Sequence, residues 1–403
     1  MKININININ RLMSNLREIG DIGKTEDGYN RIEFSREYFT AAEIFLEKLK
    51  NLGFKAWIDE VGNVIGEKAG RDTELPYMII GSHLDTVKNG GLYDGNLGVM
   101  CALECMELLA ENEIVTDHTI RIAAFNAEEG LRLGGTFGSI AVFGTGDIEK
   151  ENNLEELPQL GLTMENIRNS KWENNKIGAY LELHIEQGDQ LIKKEKTVGI
   201  VNGIVGIERY RIKINGESNH GGTTSMESRK DAVKTAGELI TYMYSLCEKY
   251  PHPFVFTIDD IRISPACYNV IPEYAELFIE IRDLKRENID SFIADIKKFS
   301  QKYKDTKTEF IHVLEKKPYV LDKNIQNIIT KVCIENNIPH MELSSGAGHD
   351  AMCMPEDKPA AMIFVPSENG ISHNKMEFTS ESDIEKGTLV MFKTLLEMDK
   401  HIR

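Results

Sequence analysis

Short apolar runs that end in glycine or in polar residues recur along the chain and predict buried strands. The clearest runs, each with the polar residues that follow it, are residues 75–80 with His83 and Asp85, residues 119–125 with Glu128 and Glu129, and residues 179–183 with His184. Helical spacing of apolar residues lies between the first two, over residues 99–109. Strands that alternate with helices predict an α/β fold, in which chemistry is found at the carboxyl ends of strands.

From about residue 207 to residue 314 the periodicity changes to the order strand, helix, strand, strand, helix, strand. The alternating segments are 207–214, 253–258, 274–281 and 308–313, and the helical segments are 231–249 and 289–303. This order predicts an inserted ferredoxin-like (βαββαβ) domain. We therefore expect residues 1–207 and 323–403 to form one discontinuous catalytic domain and residues 208–322 to form the insertion. Hinges near residues 206–208 and 315–325 would let the insertion close over a cleft.

The length supports a division into two domains, because 403 residues exceed the size at which a single core stops growing. At the N-terminus, the Ile-Asn repeat of residues 1–10 alternates as a strand does. We expect it to be a poorly ordered or edge-strand extension ahead of a helix that begins at Arg11. Its role is not evident from its pattern.

Composition excludes several classes of partner. With 47 basic and 64 acidic residues, the net charge of −17 argues against binding to nucleic acid or to anionic membranes. The sequence has no apolar stretch of about 18 residues, which a transmembrane helix requires. Its six cysteines have no Cys-x-x-Cys spacing, which favours reduced thiols and a cytoplasmic location.

Five potential metal ligands stand beside the apolar runs or in glycine-rich turns: His83, Asp94, Glu129, His184 and His373. Imidazole and carboxylate ligands suit zinc, or manganese in a site richer in oxygen. Asp94 precedes a helical run, and we expect its carboxylate to bridge two metal ions near the positive end of that helix.

The neighbouring acidic residues suggest separate tasks. Successive side chains of an extended segment face opposite sides, so Glu128 would stay unligated if Glu129 binds metal. An unligated carboxylate at such a site is suited to general acid/base catalysis. Asp85 lies on the same side as His83, and we expect its carboxylate to accept the imidazole proton.

The motifs of the chain, taken in order, resemble those of one enzyme family. They are Gly81-Ser-His-Leu-Asp-Thr, Asn89-Gly-Gly-Leu-Tyr-Asp-Gly, Glu128-Glu-Gly, Gly134-Gly-Thr-Phe-Gly-Ser, Glu182-Leu-His-Ile-Glu-Gln-Gly, His220-Gly-Gly-Thr-Thr, Asn269-Val-Ile-Pro, Ser345-Gly-Ala-Gly-His-Asp and Phe364-Val-Pro-Ser followed by Ser372-His. The family is that of the metal-dependent amidohydrolases, which includes N-carbamoyl-L-amino-acid hydrolase, allantoate amidohydrolase and β-ureidopropionase and is related to aminoacylases and dinuclear zinc peptidases. The resemblance spans nearly the whole chain.

The resemblance implies a zinc-peptidase-like catalytic domain with a mixed sheet. This domain would bind two divalent metal ions, with zinc preferred and manganese, cobalt or nickel as alternatives. His83, Asp94 and His184 would hold one ion, and Asp94, Glu129 and His373 the other. Glu128 matches the family's catalytic acid/base, with Asp85 beside it. The matching substrate contacts are Gln187, His220, Asn269, Arg282 and the Gly348 turn. The insertion would serve as a lid and dimerisation domain, with His220 acting in the active site of the partner in a homodimer.

Arg282 also has a rationale of its own, because a guanidinium binds a carboxylate through two parallel hydrogen bonds. The alternative is a surface salt bridge with Asp283 or Glu280. Two stretches depart from the family pattern: the His220 motif lacks the usual alanine and proline, and Ile140 stands where arginine is common. Neither change removes a ligand, but both leave the substrate preference open.

The resulting expectation is hydrolysis of the ureido C–N bond of N-carbamoyl-L-amino acids to an amino acid, CO2 and ammonia. Allantoate amidohydrolase is the alternative, since it uses the same catalytic residues on another small ureido acid. The motifs at His184 and Gly348 argue against a plain dipeptidase or aminoacylase. The presence of Glu128 and of all five ligands argues against a catalytically silent binding protein.

Overall fold

The computed structural model describes residues 6–146, 148 and 153–402. The chain divides into two units, one made of residues up to Asn202 and from Leu321 onward, and the other of Gly203–Val320. The boundaries expected from the sequence lie a few residues further along the chain at both crossings.

Strands and helices follow one another along both units. The strands are β1 Lys55–Ile58, β2 Val64–Lys68, β3 Tyr77–His83, β4 Ile120–Phe125, β5 Ile177–Ile185, β6 Val198–Ile204, β7 Gly206–Asn215, β8 Val255–Ser264, β9 Tyr274–Asp283, β10 Lys307–Lys316, β11 Tyr319–Val320, β12 His340–Ser345 and β13 Ala360–Val365. The α-helices are α1 Ile9–Gly20, α2 Arg36–Asn51, α3 Asn96–Glu111, α4 Phe137–Phe143, α5 Met164–Ser170, α6 Gln190–Lys193, α7 Ala232–Cys247, α8 Arg286–Ser300, α9 Lys323–Glu335 and α10 Glu381–His401. Short 3-10 helices lie at Leu154–Leu160, Asn174–Lys176, Met226–Ser228, Asp350–Cys353 and Glu368–Gly370.

The sheet of the first unit has the order β1-β2-β4-β3-β5-β13-β6, and β12 also pairs with β6. The pairs β3/β4, β3/β5 and β5/β13 are parallel, whereas β1/β2, β2/β4 and β6/β13 are antiparallel. The sheet is therefore mixed, as the sequence predicted. In its parallel centre, His83 stands opposite Phe125 and His184 opposite Phe364, so these strands end at one edge of the sheet.

Helix α3 lies at the centre of the first unit, and its residues from Asn96 to Leu109 are buried. Its apolar residues belong to the core of this unit, where α1 and α10 pack against it, and its buried Glu104 pairs with Arg11 of α1. At 16 residues it is too short to span a bilayer. Among the described helices, none combines the length and the apolar character needed to cross a membrane.

The N-terminal segment differs from the expectation over its described part. Ile9 and Asn10 already belong to α1, and the side chain of Asn8 caps this helix by accepting from the backbone N–H of Arg11 at 3.1 Å. Ile7 is buried, and the backbone N–H of Asn8 donates to Glu104 at 2.9 Å. The alternating pattern of residues 6–10 therefore produces a helix start that packs on α3, because the tertiary contacts outweigh the local periodicity. Residues 1–5, the rest of the expected strand, lie outside the described residues.

The second unit contains the predicted order of elements, from β7 to β10. The strands β7 to β10 form one sheet in the order β10-β7-β9-β8, and every pair is antiparallel. Helices α7 and α8 contribute Leu239, Met243 and Phe292 to a core shared with the strands. This is the ferredoxin-like arrangement, and it folds around a core of its own.

Candidate metal centre

The five predicted ligands meet at the edge where the parallel strands end. His83 is the last residue of β3, His184 lies next to the end of β5, and Glu129 follows β4. Asp94 precedes α3, and His373 follows the short helix after β13. Parallel neighbouring strands bring these residues together although they are far apart in sequence.

The ligand atoms form two groups that share Asp94. In the first group, Oδ1 of Asp94 lies 3.5 Å from Nε2 of His83 and 3.1 Å from Nε2 of His184. In the second group, Nε2 of His373 lies 3.2 Å from Oδ2 of Asp94 and 3.5 Å from Oε2 of Glu129. Each carboxylate oxygen of Asp94 thus faces one group, which is the arrangement a bridging ligand requires.

The hydrogen bonds of the imidazoles fit metal ligands. Nδ1 of His83 lies 3.1 Å from the carbonyl oxygen of Asp85, and Nδ1 of His184 lies 2.9 Å from that of Ile185. When both Nδ1 atoms carry protons, the Nε2 lone pairs of the two imidazoles face Asp94. The backbone N–H of Gly95 lies 3.3 Å from Nε2 of His184. The two Nε2 atoms are only 3.5 Å apart, so protons on both would repel. A cation between them satisfies all these acceptors.

Buried negative charge at the site also fits a cation. Burial, with the charge of Asp94 nearby, raises the pKa of Glu129 well above its ordinary value, and Oε1 of Glu129 is buried without a hydrogen-bond partner. Burial likewise raises the pKa of Asp350 to about 7. Divalent cations relieve such a cluster by compensating its charge. The residues present therefore fit a pair of divalent metal ions.

Glu128 lies beside the two groups. Its Oε2 atom is 3.8 Å from Nε2 of His83, further than Asp94 is, and its side chain is nearly buried. Burial, together with the negative charges of Asp350 and Asp85, raises the pKa of Glu128 well above its ordinary value. Glu128 also forms a third candidate ligand group, with His83 and Glu129.

Asp85 contacts the site differently from the expectation. Its carboxylate accepts from the backbone N–H groups of Glu128 at 3.1 Å and Glu129 at 3.0 Å, and its Oδ1 atom lies 3.7 Å from Nδ1 of His83. The carbonyl oxygen of Asp85 is the nearer acceptor for the imidazole. The carboxylate is engaged by the turn after β4, which presents two adjacent N–H groups to it.

Gly95 is required at the start of α3. Its backbone has φ +61°, and a Cβ atom there would lie 2.3 Å from Cε1 of His83. Only glycine has no Cβ and adopts this conformation without strain. The residue lets the turn that carries Asp94 approach the His83 ring.

Two of the predicted substrate contacts lie beside the metal ligands. Nε2 of Gln187 donates to Oδ2 of Asp94 at 2.8 Å, and Oε1 of Gln187 is buried without a hydrogen-bond partner. Gly348 precedes His349, whose ring centroid lies 4.6 Å from that of His184. Gln187 therefore contacts the shared aspartate directly, whereas Gly348 lies one residue before a ring that contacts His184.

The other three predicted substrate contacts, His220, Asn269 and Arg282, belong to the second unit. His220 and Asn269 lie on adjacent loops, which are joined by a hydrogen bond from the N–H of Gly221 to the carbonyl oxygen of Asn269 at 2.7 Å. Arg282 lies on β9 and donates to Glu280 at 2.7 Å. The salt bridge considered as the alternative for Arg282 is therefore present.

The sequence interpretation missed Glu377 and the role of Ser372. Oε1 of Glu377 accepts from the backbone N–H groups of Tyr93 at 2.8 Å and Asp94 at 2.9 Å. Ser372 lies 2.9 Å from both Glu377 and Oδ2 of Asp94. These bonds hold the bridging carboxylate and the chain before His373 together. A glutamate in a polar loop gives no signal of such a contact, because most glutamates there are solvated.

Comparisons with known proteins place the chain among hydrolases. The model of peptidase family M20/M25/M40 matches residues 79–397. The chain is 35% identical to the N-carbamoyl-L-amino-acid amidohydrolase of Pseudomonas sp. (strain NS671) over 99% of both chains. It is 29% identical to the allantoate amidohydrolase of Escherichia coli (strain K12) over 92% of this chain and 93% of that one. A crystal structure of an amidase of the hydantoinase/carbamoylase family from Burkholderia multivorans superposes with a TM-score of 0.88, at 26% identity and 98% coverage of both chains.

Proposed function

The chain belongs to peptidase family M20/M25/M40, and we propose that within it the protein is a metal-dependent amidohydrolase of N-carbamoyl-L-amino acids. The reaction would cleave the ureido C–N bond and release an L-amino acid, CO2 and ammonia. The observation that carries this proposal is the pair of ligand groups sharing Asp94, with the carboxylate of Glu128 beside them. Full-length similarity to a relative that bears this name supports the choice of substrate class.

We propose two divalent ions at the centre, with zinc as the preferred metal because imidazole and carboxylate ligands in this ratio suit it. His83, His184 and Asp94 would hold one ion, and Asp94, Glu129 and His373 the other. When bound, such ions lower the pKa of a water molecule and polarise a carbonyl group. Manganese, cobalt and nickel are the alternatives that metal analysis of the purified protein would distinguish.

The chain's own residues would carry the proton. Glu128 would accept a proton from the attacking water as the C–O bond forms, and would return it to the nitrogen as the C–N bond breaks. Asp85 would keep Glu128 in place, since its carboxylate binds the backbone N–H of that residue at 3.1 Å. Glu377 would keep Asp94 in place, because the backbone N–H of Asp94 donates to the carboxylate of Glu377 at 2.9 Å.

Substrate recognition would use the five contact residues that the resemblance implies. Gln187 and the Gly348 turn would contact the ureido group near the ions. His220 would stabilise the oxyanion that forms at the carbonyl, and Asn269 and Arg282 would bind the substrate carboxylate. A guanidinium suits this last task because it offers two parallel donors to a carboxylate.

Replacement of Arg282 by lysine tests its proposed contact. Arg282→Lys should raise KM for a ureido acid roughly 10-fold with a smaller change in kcat, because loss of one charge-assisted hydrogen bond costs about 1.5 kcal/mol. Arg209→Lys is the matched control, since Arg209 binds the same Glu280 at 2.7 Å. Steady-state kinetics of both variants decide the point. An equal rise in KM in both would mean that the ion pair with Glu280, and not a substrate contact, is responsible.

A product assay tests the proposed function itself. Purified protein reloaded with zinc or manganese is assayed for ammonia release from N-carbamoyl-L-methionine, N-carbamoyl-D-methionine, 3-ureidopropionate and allantoate. We expect kcat/KM for the L-carbamoyl compound to exceed the others by at least about 10-fold. A preference for allantoate would assign the second candidate, which the Escherichia coli relative favours. No turnover of any of the four would overturn the proposal and point to a binding protein.

Two further features of the proposal concern the whole molecule. A homodimer, in which His220 acts in the partner's active site, is tested by sedimentation and by mixing inactive Glu128 and His220 variants. Recovery of activity on mixing is the expected result. We also propose a cytoplasmic location, which fractionation of the source cells would check.

A further inference from the structure

Glu33 is a buried carboxylate outside the set of residues assigned so far. It is 1% exposed and precedes α2. Its carboxylate accepts three backbone hydrogen bonds, from Leu131 at 2.9 Å, Arg132 at 2.6 Å and Leu133 at 3.0 Å. All three donors follow Glu128 and Glu129 after one residue, Gly130, so Glu33 holds the loop that continues from these two residues.

A second buried carboxylate holds the start of the same loop. Asp85 binds the N–H groups of Glu128 and Glu129, and Gly130, at φ +66°, turns the chain between the two carboxylates. Within residues 128–133, five of the six backbone N–H groups are therefore held by Asp85 or Glu33. This loop has neither helix nor strand hydrogen bonds to keep its shape. The two carboxylates replace them.

The segment of Glu33 also contacts the turn after β3. Nε of the fully buried Arg31 donates to the carbonyl oxygen of Leu84 at 2.7 Å. The backbone N–H of Arg31 donates to the side chain of Thr86 at 2.9 Å, and the N–H of Thr86 donates to the carbonyl oxygen of Arg31 at 3.0 Å. Residues 31–33 thus tie the turn that carries Asp85 to the loop that carries Glu128.

This segment lies before residue 79, where the match to the family model begins. Three backbone hydrogen bonds to one buried glutamate are more than a surface loop requires. Their donors lie next to the two residues whose side-chain positions matter most to the reaction.

We infer that Glu33 is a positioning residue for Glu128 and Glu129, acting through the backbone of Leu131–Leu133. The inference rests on the proposed function, in which Glu128 transfers the proton and Glu129 binds metal. Glu33 touches neither substrate nor ion. Its effect is to keep the loop in the one shape that places both side chains at the centre.

Glu33→Gln tests the inference, because it keeps the length of the side chain but removes its charge and places an amide NH2 among N–H donors. We expect kcat for the preferred ureido acid to fall roughly 10- to 100-fold, with KM changed by less than about 3-fold. Affinity for the second equivalent of zinc, measured by calorimetry, should fall by about 10-fold. Amide hydrogen exchange of the peptide that covers residues 131–133 should accelerate, because its bonds to Glu33 are weakened.

Asp399→Asn is the matched control for a purely structural effect. Asp399 accepts from the backbone N–H groups of Asp117 and His118, each at 2.9 Å, just before β4 begins. Each substitution thus removes the charge of a carboxylate that binds backbone N–H groups, after β4 for Glu33 and before β4 for Asp399. We expect Asp399→Asn to accelerate exchange near residues 117–118 and to leave kcat and zinc affinity within about 3-fold of the parent.

Several results would overturn the inference. They are an equal loss of kcat in both variants, a rise in KM without a fall in kcat, or unchanged exchange at residues 131–133 in Glu33→Gln. If that variant fails to fold, Glu33→Asp, which keeps the charge but is one methylene shorter, should give the same effects with smaller size. If the parent protein turns over no ureido acid, the proposed function fails, whereas zinc affinity and exchange still decide the role of Glu33.

Discussion

Glu128→Gln is expected to lower kcat by roughly 10²- to 10⁴-fold, the usual contribution of a positioned general base. Glutamine has the same shape, so the hydrogen bond from the backbone N–H of residue 128 to Asp85 can persist. It has no charge with which to accept the proton of the attacking water. Kinetics on the preferred ureido acid, with zinc content measured on the same sample, check this result.

Glu129→Gln is the contrasting variant, since Glu129 is the next residue and is buried in the same cluster. We expect Glu128→Gln to retain about two zinc ions per chain and Glu129→Gln to retain about one, because an amide is a poor metal ligand. If Glu128→Gln loses zinc and Glu129→Gln does not, the two roles are reversed. Unchanged turnover in Glu128→Gln would remove this residue from proton transfer altogether.

Asp94→Asn is expected to release both metal ions and to reduce turnover by at least about 10³-fold. Each carboxylate oxygen of Asp94 faces a different ligand group, so one substitution weakens both sites. Metal ions supply several kcal/mol of transition-state stabilisation, and each 1.36 kcal/mol corresponds to a factor of ten in rate. Zinc content and kcat, measured after reloading and desalting, give the result directly.

Thermal unfolding provides a readout for Asp94→Asn that does not depend on turnover. Zinc should raise the melting temperature of the parent protein, because it binds the folded state and not the unfolded one. That rise should be absent in Asp94→Asn. Asp350→Asn serves as control, since Asp350 is buried in the same cluster but belongs to neither ligand group. If zinc raises the melting temperature of Asp94→Asn as much as that of the parent protein, the bridging role of Asp94 is refuted.

Much of the fold could be predicted from local patterns. The apolar runs that end at His83 and His184 are β3 and β5, and the order of elements in the second unit follows from periods of two and of 3.6 residues. Residues 6–10 are the exception. Their alternation predicted an extended segment, but burial of Ile7 and the bond from Asn8 to Glu104 favour the start of a helix.

The candidate site was predictable only in part. The types of ligand and their positions at strand ends could be inferred from the residues, and their division into two groups came from the resemblance. The residues that hold the ligands in position could not be inferred. Glu33 and Glu377 each bind backbone N–H groups that lie far away in the chain, and no periodicity or spacing marks a glutamate that does so. For Asp85, the pattern indicated the correct side of the strand but not that the carbonyl oxygen is the imidazole's nearer acceptor.

The sequence by itself determined which segments are buried, which chemistry their ends carry and where a second domain is inserted, because these properties depend on neighbours within a few residues. Only the tertiary structure decided which side chains meet. Asp94 faces both groups because parallel strands bring His83 and His184 to one edge and because Glu377, 283 residues away, binds its backbone. Contacts of that range arise from strand order and packing, which a local pattern does not encode.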